Sequence, residues 1–348
     1  MISHYSLKIR YFGTSSIPTT SGWHGLISEF QRLGVKVHTA EDSQKPSHLL
    51  EIDFVPSKQG GPIKRIPKSN RFLIATEPVT VNPIQFSEAV SEKFEHVIVP
   101  SSLAPKNKNT IVGEGGYFNP SRYAQFFPND GNRQGCALIN ENKFSFVRES
   151  NYALRSKFIL GALNANLSLS IAGRNWTRGV LWTVAKLSHH FLIALRAGRL
   201  RFSLRDLIVL INFSIQRRRV RGISVGLVPD NVLYLSKFKV AIVIENESSY
   251  VSEKLHAALV AGCQCVYVGP PLDYREFPTG FLFQSSADVL EIIKYTEIAL
   301  RTEYSISETV LEEYVSTSKF VREKGVALRN SWVAKQVSSW MNRSPSNE

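Results

Sequence analysis

Between Glu245 and Lys254 the chain gathers three carboxylates (Glu245, Glu247 and Glu253), an amide (Asn246), a phenol (Tyr250) and an ammonium (Lys254). Such a set suits a polar, phosphate-bearing ligand if the flanking elements bring the groups to one place, and the flanks read that way. Phe238 to Ile244 is an apolar run rich in Val and Ile, the pattern of a strand buried on both faces of a parallel sheet. Asn246 to Ser249 makes a polar turn. From Tyr250 to Ala261 the residues Val251, Leu255, Ala258 and Leu259 recur at helical spacing, and Gly262 is placed to end the helix. Cys265 to Val268 is the next strand. In an open α/β sheet the ligand crevice lies beyond the carboxyl ends of the strands, so Glu245, Asn246, Tyr250, Glu253 and Lys254 converge on it. The helix start adds unpaired N–H groups and partial positive charge, and Lys254 a full one, which favours phosphate. Read from spacing alone, Glu253 and Lys254 also fit the solvated first turn of an ordinary helix.

The segment resembles the donor-binding signature of the α-1,3-fucosyltransferases, glycosyltransferase family 10. That pattern runs roughly F-x-x-x-x-E-N-S, then Y-[VI]-[TS]-E-K-L, then A-x-x-A-G and a strand ending in Y-x-G-x-P. The corresponding residues here are Phe238, Glu245, Asn246, Tyr250 to Leu255, Ala258, Ala261, Gly262, Tyr267, Gly269 and Pro271. So many matches in order are far more specific than a lone glycine motif. Two positions depart from it: Cys265 stands where the family usually has proline, and Glu247 replaces the usual Ser or Thr after Asn.

Two further segments fit the same resemblance. Residues 136 to 176 are similar to the family's strand, Tyr-x-x-Arg helix and strand ending in glycine, and Arg155 falls at the arginine that contacts the donor pyrophosphate. A guanidinium on the first turn of a helix that follows a strand can grip a phosphate bidentately; without the resemblance, Arg155 also reads as a surface arginine. Arg71 to Pro83 is a strand ending in Thr76, Glu77 and Pro78, where family members place their proposed general base. A carboxylate at a strand end, facing a cleft with apolar walls, has its pKa raised toward the range where it accepts a hydroxyl proton. The plainer reading of Glu77 is a cap on the following loop.

At 348 residues the chain has room for two α/β domains, and 43% hydrophobic with 20% charged residues is the composition of a folded protein. The first domain is expected over 1–130, with strands at Tyr5 to Phe12, Val35 to His38, Leu49 to Phe54, Phe72 to Thr76 and His96 to Val99, and a helix around Gly22 to Leu33 stopped by Gly34. Gly13 and Gly22 are too far apart for a dinucleotide fingerprint. Asn119 to Gln134 reads as the linker. The second domain is expected over 131–330, with a basic helical insertion at about 177–230, and 331–348 as a helix end and tail. Two Rossmann-like, doubly wound halves facing a cleft are the GT-B arrangement that the resemblance implies, with acceptor in the first domain and nucleotide sugar in the second.

Cys136, Cys263 and Cys265 are odd in number and sit in apolar strands, so they read as core thiols in a reducing compartment. Cys263 and Cys265 form C-x-C with no histidine pair nearby to complete a zinc site. No two aspartates are spaced D-x-D, so no metal and no other cofactor is expected, and Arg155, Lys254 and the helix terminus are left to meet the leaving-group charge. His189 and His190 are adjacent, about 100° apart on a helix, and a poor chelating pair.

The net charge of +13 is concentrated: Arg174 to Arg221 holds eleven Lys and Arg against Asp206 alone. Apolar runs, Val180 to Leu187, Phe191 to Leu195 and Leu207 to Ile211, interleave with these charges. The combination suits helices lying on an anionic membrane surface, with arginines at the headgroups and Trp182, Phe191 and the leucines below. A solvated basic face over a core helix is the plain alternative, and no nucleic acid is expected. Gly179 to Leu195 comes nearest to a membrane span but contains Lys186, His189 and His190. Met1 to Arg10 has no signal-peptide pattern, so a cytoplasmic protein, peripheral on the inner membrane face, is expected.

The resemblance thus implies an inverting fucosyltransferase that moves L-fucose from GDP-fucose to a hydroxyl of a glycan or lipid-linked glycan. Glu77 would be its base; Arg155, Asn246, Tyr250, Glu253 and Lys254 would line the donor site. Two other readings stay open: a GT-B transferase using another nucleotide sugar, and a non-catalytic protein whose basic insertion is the working surface.

Overall fold

The structure is a computed structural model, described for residues 5–12, 14, 17–18, 21, 23–38, 46–53, 66–99, 110–112, 132–147, 150–201, 203–249, 251–272, 277, 280, 282–303, 307–317 and 323–343. The chain divides into two compact units, residues 1–119 with 323–348, and residues 120–322.

The first unit holds strands β1 (Ser6–Tyr11), β2 (Lys36–His38), β3 (His48–Ile52), β4 (Arg71–Ile74), β5 (His96–Val99) and β6 (Thr110–Val112). They form one parallel sheet in the order β2-β1-β3-β4-β5-β6. The chain therefore reverses its direction of winding between β1 and β3. Helix α1 (Leu26–Arg32) buries Leu26 and Phe30 on this sheet, and a short helix, α2 (Glu88–Ser91), precedes β5.

The second unit holds β7 (Cys136–Ile139), helix α3 (Tyr152–Asn164), β8 (Leu169–Ala172), helices α4 (Val180–Arg196), α5 (Leu204–Ile215) and α6 (Arg217–Ile223), and β9 (Ser224–Gly226). Then follow α7 (Asn231–Leu235), β10 (Val240–Ile244), α8 (Glu253–Val260), β11 (Gln264–Val268), β12 (Leu282–Gln284), α9 (Val289–Arg301) and α10 (Glu308–Thr317). The sheet order is β12-β11-β10-β7-β8-β9, again all parallel, so the winding reverses between β7 and β10. Every residue of β10 and of β11 is buried, as a strand covered by helices on both faces requires.

Helix α11 (Glu323–Met341) returns to the first unit, where Val333, Ala334, Val337 and Trp340 join the core of Leu7, Leu50, Phe72 and Phe30. Within this helix the Arg329 guanidinium lies 3.7 Å from the Trp23 ring centroid. Residues 323–341 thus form a helix that is built into the first unit's core.

Two helix stops read from glycine are present: Gly34 and Gly262 have φ of 77° and 74°, a left-handed turn that side chains disfavour. The linker expected over Asn119 to Gln134 lies, for 119–131, outside the described residues. All three cysteines are buried free thiols, and burial pushes those of Cys136 and Cys263 up to about 12. The basic insertion consists of α4, α5 and α6, placed between β8 and β9. No helix among the described residues is long and apolar enough to cross a membrane.

Candidate functional site

In the second unit the signature segment lies at the carboxyl end of β10, beside the strand β7 where the winding reverses; in open α/β sheets this is the place for ligands. Glu245 continues the ladder, its N–H donating to the Val268 carbonyl at 2.8 Å. The turn that follows is braced against the start of α3. Asn151 N–H donates to the Asn246 carbonyl at 3.0 Å, and Ser150 pairs with Glu247 as an antiparallel bridge.

Arg155 supplies the rest of that brace. Its Nη2 donates to the Ile244 carbonyl at 2.8 Å and to Asn246 Oδ1 at 2.7 Å, and its Nε reaches the same carbonyl at 3.3 Å. The guanidinium also lies 4.7 Å from the Tyr152 ring centroid. Arg155 is 2% exposed, so it is no surface arginine, and burial lowers its pKa while Tyr152 and Glu245 oppose the shift. The sequence places Arg155 as a phosphate ligand; the structure gives it partners inside the protein that hold Asn246 in place.

Glu245 is fully buried. Its Oε1 accepts the Ser252 N–H at 2.9 Å, whereas its Oε2 has no hydrogen-bond partner among the described residues. Burial raises its pKa, while the Lys254 charge and the Ser252 bonds pull it down. Ser252 is the N-cap of α8; its Oγ accepts from Lys254 N–H at 3.4 Å and from Lys254 Nζ at 2.9 Å. The Lys254 ammonium is therefore half-buried at the start of α8, where the helix field adds to its charge. Glu253, one residue earlier, is exposed. Tyr250 lies outside the described residues.

At the end of β11, a Cβ added to Gly269 would stand 2.2 Å from the Tyr267 hydroxyl oxygen and 2.9 Å from Glu245 Cγ. Only glycine lets that backbone pass the two buried side chains. The departures from the family pattern also find places. Cys265 pairs with Ala241 and Leu282 inside the sheet, and Glu247 is buried, its Oε1 accepting from Ser249 Oγ at 2.9 Å. Glu247 thus belongs to the turn's own bonding.

In the first unit, Glu77 is half-buried in the loop after β4. Its N–H donates to Asp53 Oδ1 at 3.2 Å, and its carbonyl accepts from Gln85 Nε2 at 2.9 Å. Asp53, just past β3, also accepts from Thr76 N–H at 2.8 Å and from the Thr76 hydroxyl. The carboxyl that burial pushes up is Asp53, fully buried at φ 55°. Sequence reasoning missed it, because a lone aspartate after a strand carries no pattern.

The structure thus brings Glu245, Asn246, Arg155 and Lys254 to one strand end, and sets Glu77 at a strand end of the other unit. Among the described residues no group of three His, Cys, Asp or Glu is placed to hold a metal ion. His189 and His190 sit on α4 with rings edge to face, and burial lowers the pKa of His190 to about 4.

No protein-family model matches the chain, and no curated protein matches it. Solved structures do. HepE of Anabaena, determined with UDP, aligns with 96% of this chain and 100% of its own at 10% identity and a TM-score of 0.50. The same protein with UDP-glucose gives 96% and 99% at 9% identity, TM-score 0.50. The α,α-trehalose 6-phosphate synthase of Burkholderia multivorans covers 95% of this chain and 80% of its own at 10% identity, TM-score 0.48. At such identities the likeness is one of fold. The chain has the GT-B type of fold, two Rossmann-like units each built on a six-stranded parallel sheet.

Proposed function

We propose that this chain is a glycosyltransferase that takes its sugar from a nucleotide-sugar donor bound at the carboxyl end of β10. The observation that carries this reading is the placement of the signature segment: its Glu245, Asn246, Glu253 and Lys254 fall at the winding reversal of a GT-B-type second unit. In this reading Lys254 and the start of α8 meet the diphosphate and its departing charge. Asn246, held by Arg155, and Glu253 offer hydrogen bonds to the donor's hydroxyl groups; the resemblance adds Tyr250, which lies outside the described residues, to the donor site. Glu77 removes the proton of the acceptor hydroxyl as it attacks the anomeric carbon, the glycosidic bond forming as the bond to the nucleotide breaks.

The resemblance of residues 238 to 271 names the donor as GDP-fucose, with inversion and an α-1,3-type linkage to a glycan or lipid-linked glycan. A second reading rests on a separate observation, that HepE was determined with UDP and with UDP-glucose. It gives the same phosphate contacts to a UDP-sugar.

Calorimetric titration with GDP-fucose, GDP-mannose, UDP-glucose, UDP-galactose and GDP, without added metal, separates the two. Lys254→Ala is expected to weaken the preferred donor about tenfold to a hundredfold, the loss of one charge-assisted phosphate contact. Folded protein that binds none of these nucleotides would end the transferase reading.

A further inference from the structure

The helices between β8 and β9 carry more apolar surface than their packing uses. In α4 the buried positions are Thr183, Leu187 and Ala194, and Leu187 packs with Phe144 and Leu210. Leu181, Val184, Leu192 and Leu195 form a different stripe, at i, i+3, i+11 and i+14, and all four are exposed, Leu181 at 89%. Helix α5 repeats the arrangement. Leu210 and Phe213 are buried, while Leu204, Ile208 and Ile215, at i, i+4 and i+11, stand exposed. Of the fourteen exposed large apolar side chains among the described residues, ten lie between Val180 and Leu227, a concentration that isolated surface leucines do not produce.

The charge of the same segment is one-sided. Its single acid, Asp206, is paired with Lys157 at 2.7 Å. Arg196, Arg205, Arg217, Arg218 and Arg221 are exposed and form no ion pair with a described carboxylate.

These two features together select the partner. A second copy of this chain would bring the same positive charge to the contact. Nucleic acid would answer the arginines and leave the leucine stripes in water. An anionic lipid surface answers both, with headgroup phosphates for the guanidinium groups and acyl chains for the leucines.

We propose that α4, α5 and α6 dock this protein on an anionic lipid surface, lying in its plane with the stripes of Leu181, Leu192, Leu195, Leu204 and Ile208 below the headgroups. The inference does not rest on the transferase reading, because lipid binding is read without any donor. It deepens that reading if both stand, by placing the acceptor at a membrane.

The test is flotation of the full chain with phosphatidylcholine vesicles, with and without phosphatidylglycerol. The protein is expected to float with the anionic vesicles only, and less as salt rises. Arg205→Gln with Arg218→Gln and Arg221→Gln is expected to weaken binding on the order of a hundredfold, at about fivefold per arginine. Leu181→Ser with Leu192→Ser and Leu195→Ser is expected to weaken it at least about tenfold, with circular dichroism and melting unchanged, since these side chains have no core to leave. Absence of wild-type binding to anionic vesicles overturns the proposal. So does binding that the leucine substitutions leave intact, or self-association that they abolish in a protein that ignores vesicles.

Discussion

Arg155→Ala decides between two roles for one residue. The sequence pattern makes Arg155 a ligand of the donor pyrophosphate, whereas its observed bonds run to the Ile244 carbonyl and to Asn246 Oδ1. Two hydrogen bonds from a buried charge contribute roughly 1.5–3 kcal/mol each. Part of that is offset, because the same burial disfavours the charged guanidinium, the direction in which its pKa moves. The net cost is then about 2–4 kcal/mol, set against a total domain stability of roughly 5–15 kcal/mol. With two units the global unfolding curve need not be two-state, so the reading should be local. Hydrogen exchange of peptides spanning β10 and residues 245 to 252 is expected to speed up about 30-fold to 1,000-fold, at tenfold per roughly 1.4 kcal/mol. The amides of Asn151 and Ser252, bonded to Asn246 and Glu245, should share in it. Donor affinity should fall with the loss of the turn, and Arg155→Lys, with one point donor for two acceptors, should lie between. Unchanged exchange together with lost donor binding would refute the reasoning and return Arg155 to the role of direct ligand.

Three further outcomes are expected. Glu77→Gln should slow turnover on the order of a hundredfold to ten-thousandfold, with donor affinity in calorimetry close to wild type; full activity would end its assignment as base. Tyr267→Phe removes a buried hydroxyl that has no hydrogen-bond partner among the described residues, so stability in urea should hold or rise by up to about 1 kcal/mol, and a clear loss would show that the hydroxyl is used. Glu245 has a folded-state pKa raised by burial, so its favourable contribution is full below the unfolded carboxylate pKa and is lost as pH rises through the folded value. Melting temperature should therefore fall with rising pH across that window, and Glu245→Gln should lessen the fall while Asp53, shifted the same way, keeps part of it; an unchanged profile would contradict this.

Where burial on both faces wrote a continuous apolar run, the sequence located the strand to within a residue or two. Phe238 to Ile244 became Val240–Ile244, and His96 to Val99 is β5 as expected. Strand β6, three residues long, is too short to show a pattern. Helix α8 starts at Glu253, because Ser252 caps it there; helical spacing from Tyr250 marks a face and says little about where hydrogen bonding begins. The gathering of Glu245, Asn246 and Lys254 followed from one βαβ unit and was legible. The brace from Arg155 to Ile244 and the bond from Asp53 to Glu77 join residues far apart in the chain, and no local spacing announces them. The exposed stripes on α4 and α5 were half legible: the apolar runs were plain, but only the fold shows which of their two faces it covers.

The two units repeat one device. Each sheet ends, beside its winding reversal, in a carboxylate with no exposure, Asp53 after β3 and Glu245 after β10. Each carboxylate accepts backbone N–H groups from a loop further along the chain, Asp53 from Thr76 and Glu77, Glu245 from Ser252. A group so buried is poorly placed to meet a substrate, yet its burial makes each bond it accepts hard to give up, because the alternative is a carboxylate with neither water nor donor. The neighbours of the fixed backbone, Glu77 and Lys254, are half-buried and so remain within reach of solvent. Keeping the buried carboxyl apart from the working group lets a site anchor the backbone beside that group through bonds the group itself does not make. On this argument Asp53 and Glu245 are positioning residues, and replacing either should alter where Glu77 or Lys254 sits before it alters what that residue can do.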